Sequence, residues 1–118
     1  MIILITGSRD WTNKKVIMRE LTALLTDERH IFIHGNARGA DKIGAECALE
    51  LGMDVRAFSA EWDKYGLKAG PIRNRQMLDE KPDLVLAFHD DILSSKGTKD
   101  CYFEAKARGI KTYLFRTF

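Results

Sequence analysis

The sequence predicts an α/β fold, a Rossmann-like three-layer α/β/α sandwich around a mainly parallel five-stranded sheet. Two observations carry this. Five short runs rich in β-branched, leucine and aromatic residues (IILI at 2–5, IFI at 31–33, DVRAF at 54–58, DLVLAF at 83–88, KTYLF at 111–115) alternate with helical periodicities, the pattern of successive βαβ units with right-handed crossovers. The first, second and fourth runs are almost continuously apolar, as parallel strands covered on both faces are.

The helices follow from spacing. Ile17, Leu21, Leu24 and Leu25 fall at i, i+4, i+7 and i+8 within 13–26, which is one face of a helix. Ile43, Cys47, Ala48 and Leu51 repeat that spacing within 40–51, and Cys101, Tyr102 and Ala105 share a side of the stretch from Gly97 to Arg108. Gly52 and Gly109 stand where a C′ glycine ends a helix. A further helix is expected before the fourth strand, with Pro71 at its first position. Between the third strand and that helix, SAEWDKYGLKAGP (59–71) reads as one long irregular segment, and loops of that length in a compact domain are commonly functional.

With 118 residues, the chain is expected to form one domain, 1–118, with a modest core. A hydrophobic fraction of 45% and a charged fraction of 31% place it among ordinary globular proteins. Its net charge of +2 disfavours a strongly electrostatic nucleic-acid binder. No apolar run is long enough to span a membrane, and the N-terminus lacks a basic leader region, so a cytoplasmic location is expected. Cys47 and Cys101 lack metal-ligand or CxxC spacing, and Cys47 reads as a buried thiol. Asp90 and Asp91 read as a solvated loop, with no third metal ligand evident nearby.

In open α/β sheets, ligands bind beyond the carboxyl ends of the strands where strand order reverses. Four segments follow those ends: TGSRDW (6–11), HGNARGAD (34–41), the Trp62 loop ending in AGPIRNRQM (69–77), and HDDILSSKGTKD (89–100). Glycine beside polar or basic residues (Gly7-Ser8-Arg9, Arg38-Gly39, Gly97-Thr98) suits a backbone that approaches an anion at a helix start. Arg73 and Arg75 lie in a first helical turn, where cations oppose the helix dipole. An anion near Arg73 would offset that, whereas Arg75 reads as solvent-exposed or paired with Glu61 or Asp63. Asp41 has two compatible readings, a ligand hydroxyl such as a ribose, or a favourable carboxylate in a helix first turn. His34 reads as structural and Trp11 as a staple for the first helix. Trp62 and Tyr65 either stack on a base or pin their loop.

The ordered set GSRDW, HGNARGAD, AEWDKYGLKAGPIRNRQM, PDLVLAF and SSKGT resembles the small single-domain branch of the SLOG superfamily, related to the bacterial YspA type. That superfamily is Rossmann-like and includes the LOG phosphoribohydrolases and the DNA-processing protein DprA. The resemblance implies a nucleotide or nucleotide-derived ligand. It carries binding roles to Gly7, Ser8, Arg9, Gly35, Arg38, Gly39, Asp41, Gly70, Arg73, Asn74, Gly97 and Thr98; Asn36, in the same loop, is expected as a ligand contact through its side chain and not from the resemblance. No metal and no further cofactor is assigned, and a homo-oligomer is compatible.

A phosphoribohydrolase-like N-glycosidase is the alternative, with Arg73 and Asp100 as its catalytic pair. Single-stranded DNA binding, by analogy with DprA, is the third class. The sequence departs from the pattern at three places: Asn36 stands where relatives usually have glycine, Ser95 and Lys96 replace the two glycines before GT, and Asp100 replaces a longer glutamate.

Overall fold

The computed structural model describes residues 1–117. Five strands, β1 (Ile2–Gly7), β2 (Ile31–His34), β3 (Asp54–Ala57), β4 (Leu84–Phe88) and β5 (Lys111–Phe115), form an all-parallel sheet in the order β3-β2-β1-β4-β5. Helices α1 (Lys14–Ala23) and α2 (Ala40–Glu50) pack on one face, and α4 (Ala69–Leu78) and α5 (Gly97–Ala107) on the other. A one-turn helix, α3 (Trp62–Tyr65), leads through a 3₁₀ turn at 66–68 into α4. The expected α/β sandwich is therefore present.

The period of two along β1 divides the core. Ile3 and Ile5 face α1 and α2 with Phe32, Leu84, Leu86 and Phe88. Leu4, beside Ile33 and Val85 in register, faces α4 and α5 with Met77, Leu78, Cys101 and Ala105. The three apolar runs are the central strands. The edge strands β3 and β5 leave residues exposed, which is why their sequences are more mixed. Strand order reverses between β1 and β4.

Local chemistry explains the helix ends. Asn13 caps α1, its side chain accepting from the Val16 N–H at 3.3 Å. Trp11 is buried, its indole edge on to Phe88 at 5.6 Å and its Nε1–H donating to the Asn13 carbonyl. Gly52 and Gly109 take φ of 78° and 76° after their helices. Cys47 and Cys101 are buried and free, and no helix among the described residues is long and apolar enough to cross a membrane.

Three expectations need correction. Helix α1 ends at Ala23, leaving Leu24 half-buried as its C-cap and Leu25 exposed; Leu24 still packs on the core from the cap position, and the apolar spacing runs past it to Leu25. Pro71 is the third residue of α4, not the first, so Arg73 is the fifth residue of that helix and Arg75 lies in its last turn, not in a first turn where they would oppose the dipole. Pro71 is tolerated because the first N–H groups of a helix have no carbonyl to bond. The segment 59–71 is mostly helical, and its period is hidden because neither α3 nor the 3₁₀ turn buries a residue.

Gly7 closes β1 where chain and helix meet. A Cβ there would lie 2.5 Å from the Phe88 carbonyl oxygen and 2.6 Å from the Ala40 Cβ. Neither neighbour is the end of a flexible side chain. Gly7→Ala should lower stability by about 1–3 kcal/mol through overpacking, measured as an earlier thermal unfolding transition.

Candidate functional site

The strand ends on the β1–β2–β3 side open into a cleft of about 340 Å³, lined by Arg9, Gly35–Arg38, Ser59, Ala60, Trp62 and Arg73. Its floor is the loop that leaves β2. Gly35 donates its N–H to Asp41 Oδ2 at 2.9 Å, and Ala37 donates to the same oxygen at 3.3 Å. From the other side, Arg73 Nη1 donates to the Gly35 carbonyl at 2.5 Å. A Cβ on Gly35 would fall 2.5 Å from that same nitrogen, so the flat guanidinium packs directly on the glycine backbone.

Asn36 is at φ 57°. Among non-glycine residues, asparagine tolerates the left-handed region best, so it suits a backbone conformation that otherwise favours glycine. Its side chain is also used: Nδ2 donates to Ser59 Oγ at 3.0 Å and Oδ1 accepts from Lys42 Nζ at 2.8 Å. The backbone N–H of Asn36 donates to His34 Nδ1 at 3.0 Å. That bond leaves the proton of the neutral ring on Nε2. Burial, then the nearby Lys42 and Arg73 charges, lower the His34 pKa, and the ring acts structurally.

Asp41 is 5% exposed. Burial raises its pKa to about 6, against the pull of the Ala37 and Gly35 N–H groups and of Arg73 and Arg9. Its carboxylate is turned onto the loop rather than into the cleft. Gly39, at φ 75°, lets the loop cross the β1 end, where an added Cβ would meet the Arg9 carbonyl carbon at 2.6 Å. Gly7 and Ser8 also serve this junction. Ser8 donates its N–H to the Phe88 carbonyl at 2.8 Å, and its carbonyl accepts from Ala40 at 3.0 Å.

Helix α4 brings Arg73 to the cleft. Burial lowers its pKa, partly countered by Asp41. Its Nε donates to Asn74 Oδ1 at 3.0 Å, while Asn74 Nδ2 donates to Asp100 Oδ2 at 3.0 Å and to the Gly97 carbonyl at 3.2 Å. Asn74 is 2% exposed, so its amide joins Arg73 to the start of α5. Gly97, Thr98 and Asp100 belong to that start and lie outside the cleft lining. Thr98 is buried, and Ser95 Oγ accepts its N–H at 3.0 Å. Ser95, one residue before the Lys96 N-cap, thus satisfies one of the free N–H groups in the first turn of α5.

Arg75 is paired, but with Asp100 at 3.5 Å and Glu104 at 3.7 Å. Glu61 and Asp63 are not its partners, because α4 turns this side chain toward α5. Asp90 holds the Thr117 N–H and hydroxyl. Among the described residues no His, Cys, Asp or Glu cluster suited to a metal occurs.

Trp62 is half-exposed and borders the cleft, its ring edge 3.5 Å from where a Gly70 Cβ would stand. Sequence reasoning missed Ala37, Ser59 and Ala60 as lining residues. The available signal for Ser59 and Ala60 was their place just beyond the β3 end.

Comparison with known proteins supplies the family. The model of the YspA, cpYpsA-related SLOG family matches residues 1–65, the portion carrying β1 to α3 and most of the cleft wall. The chain belongs to this SLOG family. A relative, the Gene 61 protein of Mycobacterium phage D29, is 36% identical over 96% of this chain and 94% of its own length. The SLOG match thus spans Gly35, Arg38 and Asp41, while Arg73 and Asn74 fall in the part covered by the phage relative alone.

Asp41 makes the fold pH-dependent in a definite direction. Below about pH 4 the carboxyl is protonated folded or unfolded. Between pH 4 and 6 the folded state binds the extra proton, so stability falls as pH rises. Above 6 the cost is complete, about 3 kcal/mol for a shift from 3.8 to about 6. Asp41→Asn should remove this fall, seen as a flattened dependence of unfolding temperature on pH between 4 and 6.

Proposed function

We propose that the cleft binds a nucleotide or a nucleotide-derived ligand, with phosphate against Arg9, Arg38 and Arg73 and the base against Trp62. The observation that carries this reading is the convergence of three arginines and a half-exposed indole in one cleft at the carboxyl edge of a parallel sheet. Arginine guanidinium groups match phosphate oxygens in pairs of parallel hydrogen bonds, and an indole face stacks on any base. Membership of the SLOG family supports a nucleotide-related ligand. In this reading Gly7, Ser8, Gly39, Asp41, Gly70 and Asn74 hold the cleft walls, and Gly97 and Thr98 fix the α5 end to which Asn74 is tied. The whole chain acts as one domain, in the cytoplasm.

Native mass spectrometry followed by denaturation should release a phosphorylated small molecule or, for an empty protein, detect binding from a nucleotide panel. Trp62→Ala should weaken that binding by about 1–3 kcal/mol, the usual worth of one base–aromatic stack. Calorimetry showing equal affinity for wild type and variant would remove Trp62 from the site.

A second reading is an N-glycosidase. The hydrogen-bonded chain Arg73–Asn74–Asp100 favours it, since it fixes a cation and a carboxylate relative to each other. The position of Asp100 outside the cleft lining, paired with Arg75, weighs against it. Chromatography after incubation with a nucleoside monophosphate panel separates the two readings. Release of free base that is lost in Asp100→Asn establishes the enzyme, and a bound but intact nucleotide establishes the binder.

A further inference from the structure

We infer that the cleft selects its ligand by phosphate charge and does not read the sugar, so that it takes nucleoside diphosphates in preference to monophosphates and accepts ribose and deoxyribose alike. This rests on the cleft reading above and adds a substrate class to it.

The charge argument starts from the lining. Among the described residues its ionisable members are Arg9, Arg38 and Arg73, and no carboxylate lines the cleft. The nearby carboxylates stand outside it: Glu61, between the lining residues Ala60 and Trp62, is exposed. Asp10 meets Arg38 at 3.7 Å, but both side chains are highly exposed, at 90% and 75%, and such a pair is weak and easily exchanged. Asp41 lies behind the loop, spent on the Gly35 and Ala37 N–H groups. The lining therefore presents three positive charges. A nucleoside monophosphate carries about −1.5 to −2 at neutral pH. A second phosphate adds roughly one more charge and further acceptor oxygens, matching three guanidinium groups that are donors only.

The sugar argument starts from acceptors. The strongest reader of a 2′-hydroxyl is an aspartate or glutamate facing it. Asp41, the acid nearest to that role in the sequence, is buried and turned onto the loop. The other side-chain acceptors of the lining are neutral and exposed, and each already accepts one hydrogen bond: Asn36 Oδ1 from Lys42, and Ser59 Oγ from Asn36 Nδ2. A ribose hydroxyl meets no free carboxylate, and its removal leaves no buried group unpaired.

The volume agrees with this scale. About 340 Å³ is at the small end of ligand sites, enough for one nucleotide whose phosphates reach outward to the exposed Arg9 and Arg38.

Calorimetry with ADP, dADP and AMP tests the inference, with Arg38→Ala as the charge variant, its side chain being exposed enough that folding is unaffected. ADP and dADP should bind within about threefold of each other, AMP at least tenfold more weakly, and the ADP-to-AMP ratio should shrink in Arg38→Ala. AMP binding as tightly as ADP, dADP binding tenfold more weakly than ADP, or a ratio unchanged in the variant would overturn the inference while leaving the cleft as a nucleotide site. Binding of none of the three would overturn the cleft reading and this inference together.

Discussion

The backbone of Gly35 is held on both sides of its Cα. Its N–H is bound by the carboxylate of Asp41 and its carbonyl by the guanidinium of Arg73. One partner comes from the first turn of α2, six residues on, and the other from α4 on the opposite face of the sheet. The clamp needs a residue without a side chain, because Arg73 occupies the place a Cβ would take. It ties the two helical layers together at the sheet edge, where the backbone has left its ladder and must find other partners.

From that clamp the site follows. Asp41 is buried at a cost that shows in its raised pKa, and it persists because two N–H groups and a nearby arginine meet it. Fixing Gly35 orients the next turn. There Asn36 accepts a left-handed conformation and reaches Ser59, linking the β2 and β3 ends. Arg73, held by Gly35 and Asn74, is set beside the cleft instead of moving freely in solvent. The exposed Arg9 and Arg38 and the half-exposed Trp62 complete the lining. The protein thus divides its polar residues between those that hold the walls and those left open to a ligand.

How much of this was legible in the chain differs by level. The alternation of apolar runs with 3.6-residue periodicity gave the sandwich, because covering both faces of a central strand demands apolar residues along its whole length. The carboxyl edge as the place of the site came from the same topology. Helix α3 was not legible, because a turn that buries no residue carries no periodic signal. The end of α1 is not marked in the chain, because Leu24 packs on the core from the cap position and Leu25, though exposed, continues the spacing.

Within the site, the sequence by itself determined the cast: glycines where backbones meet, arginines beyond the strand ends, an aspartate at the head of α2. The tertiary structure decided which of them face a ligand. Asp41 and Asn74 look like ligand readers in the chain but are consumed by the loop and by α5. Trp62 is equivocal in the chain and stands half-open at the cleft. The reason is physical. A residue's type and spacing set what bonds it can make, but partners such as Arg73 and Gly35, 38 positions apart, are chosen only when folding brings distant segments to one edge.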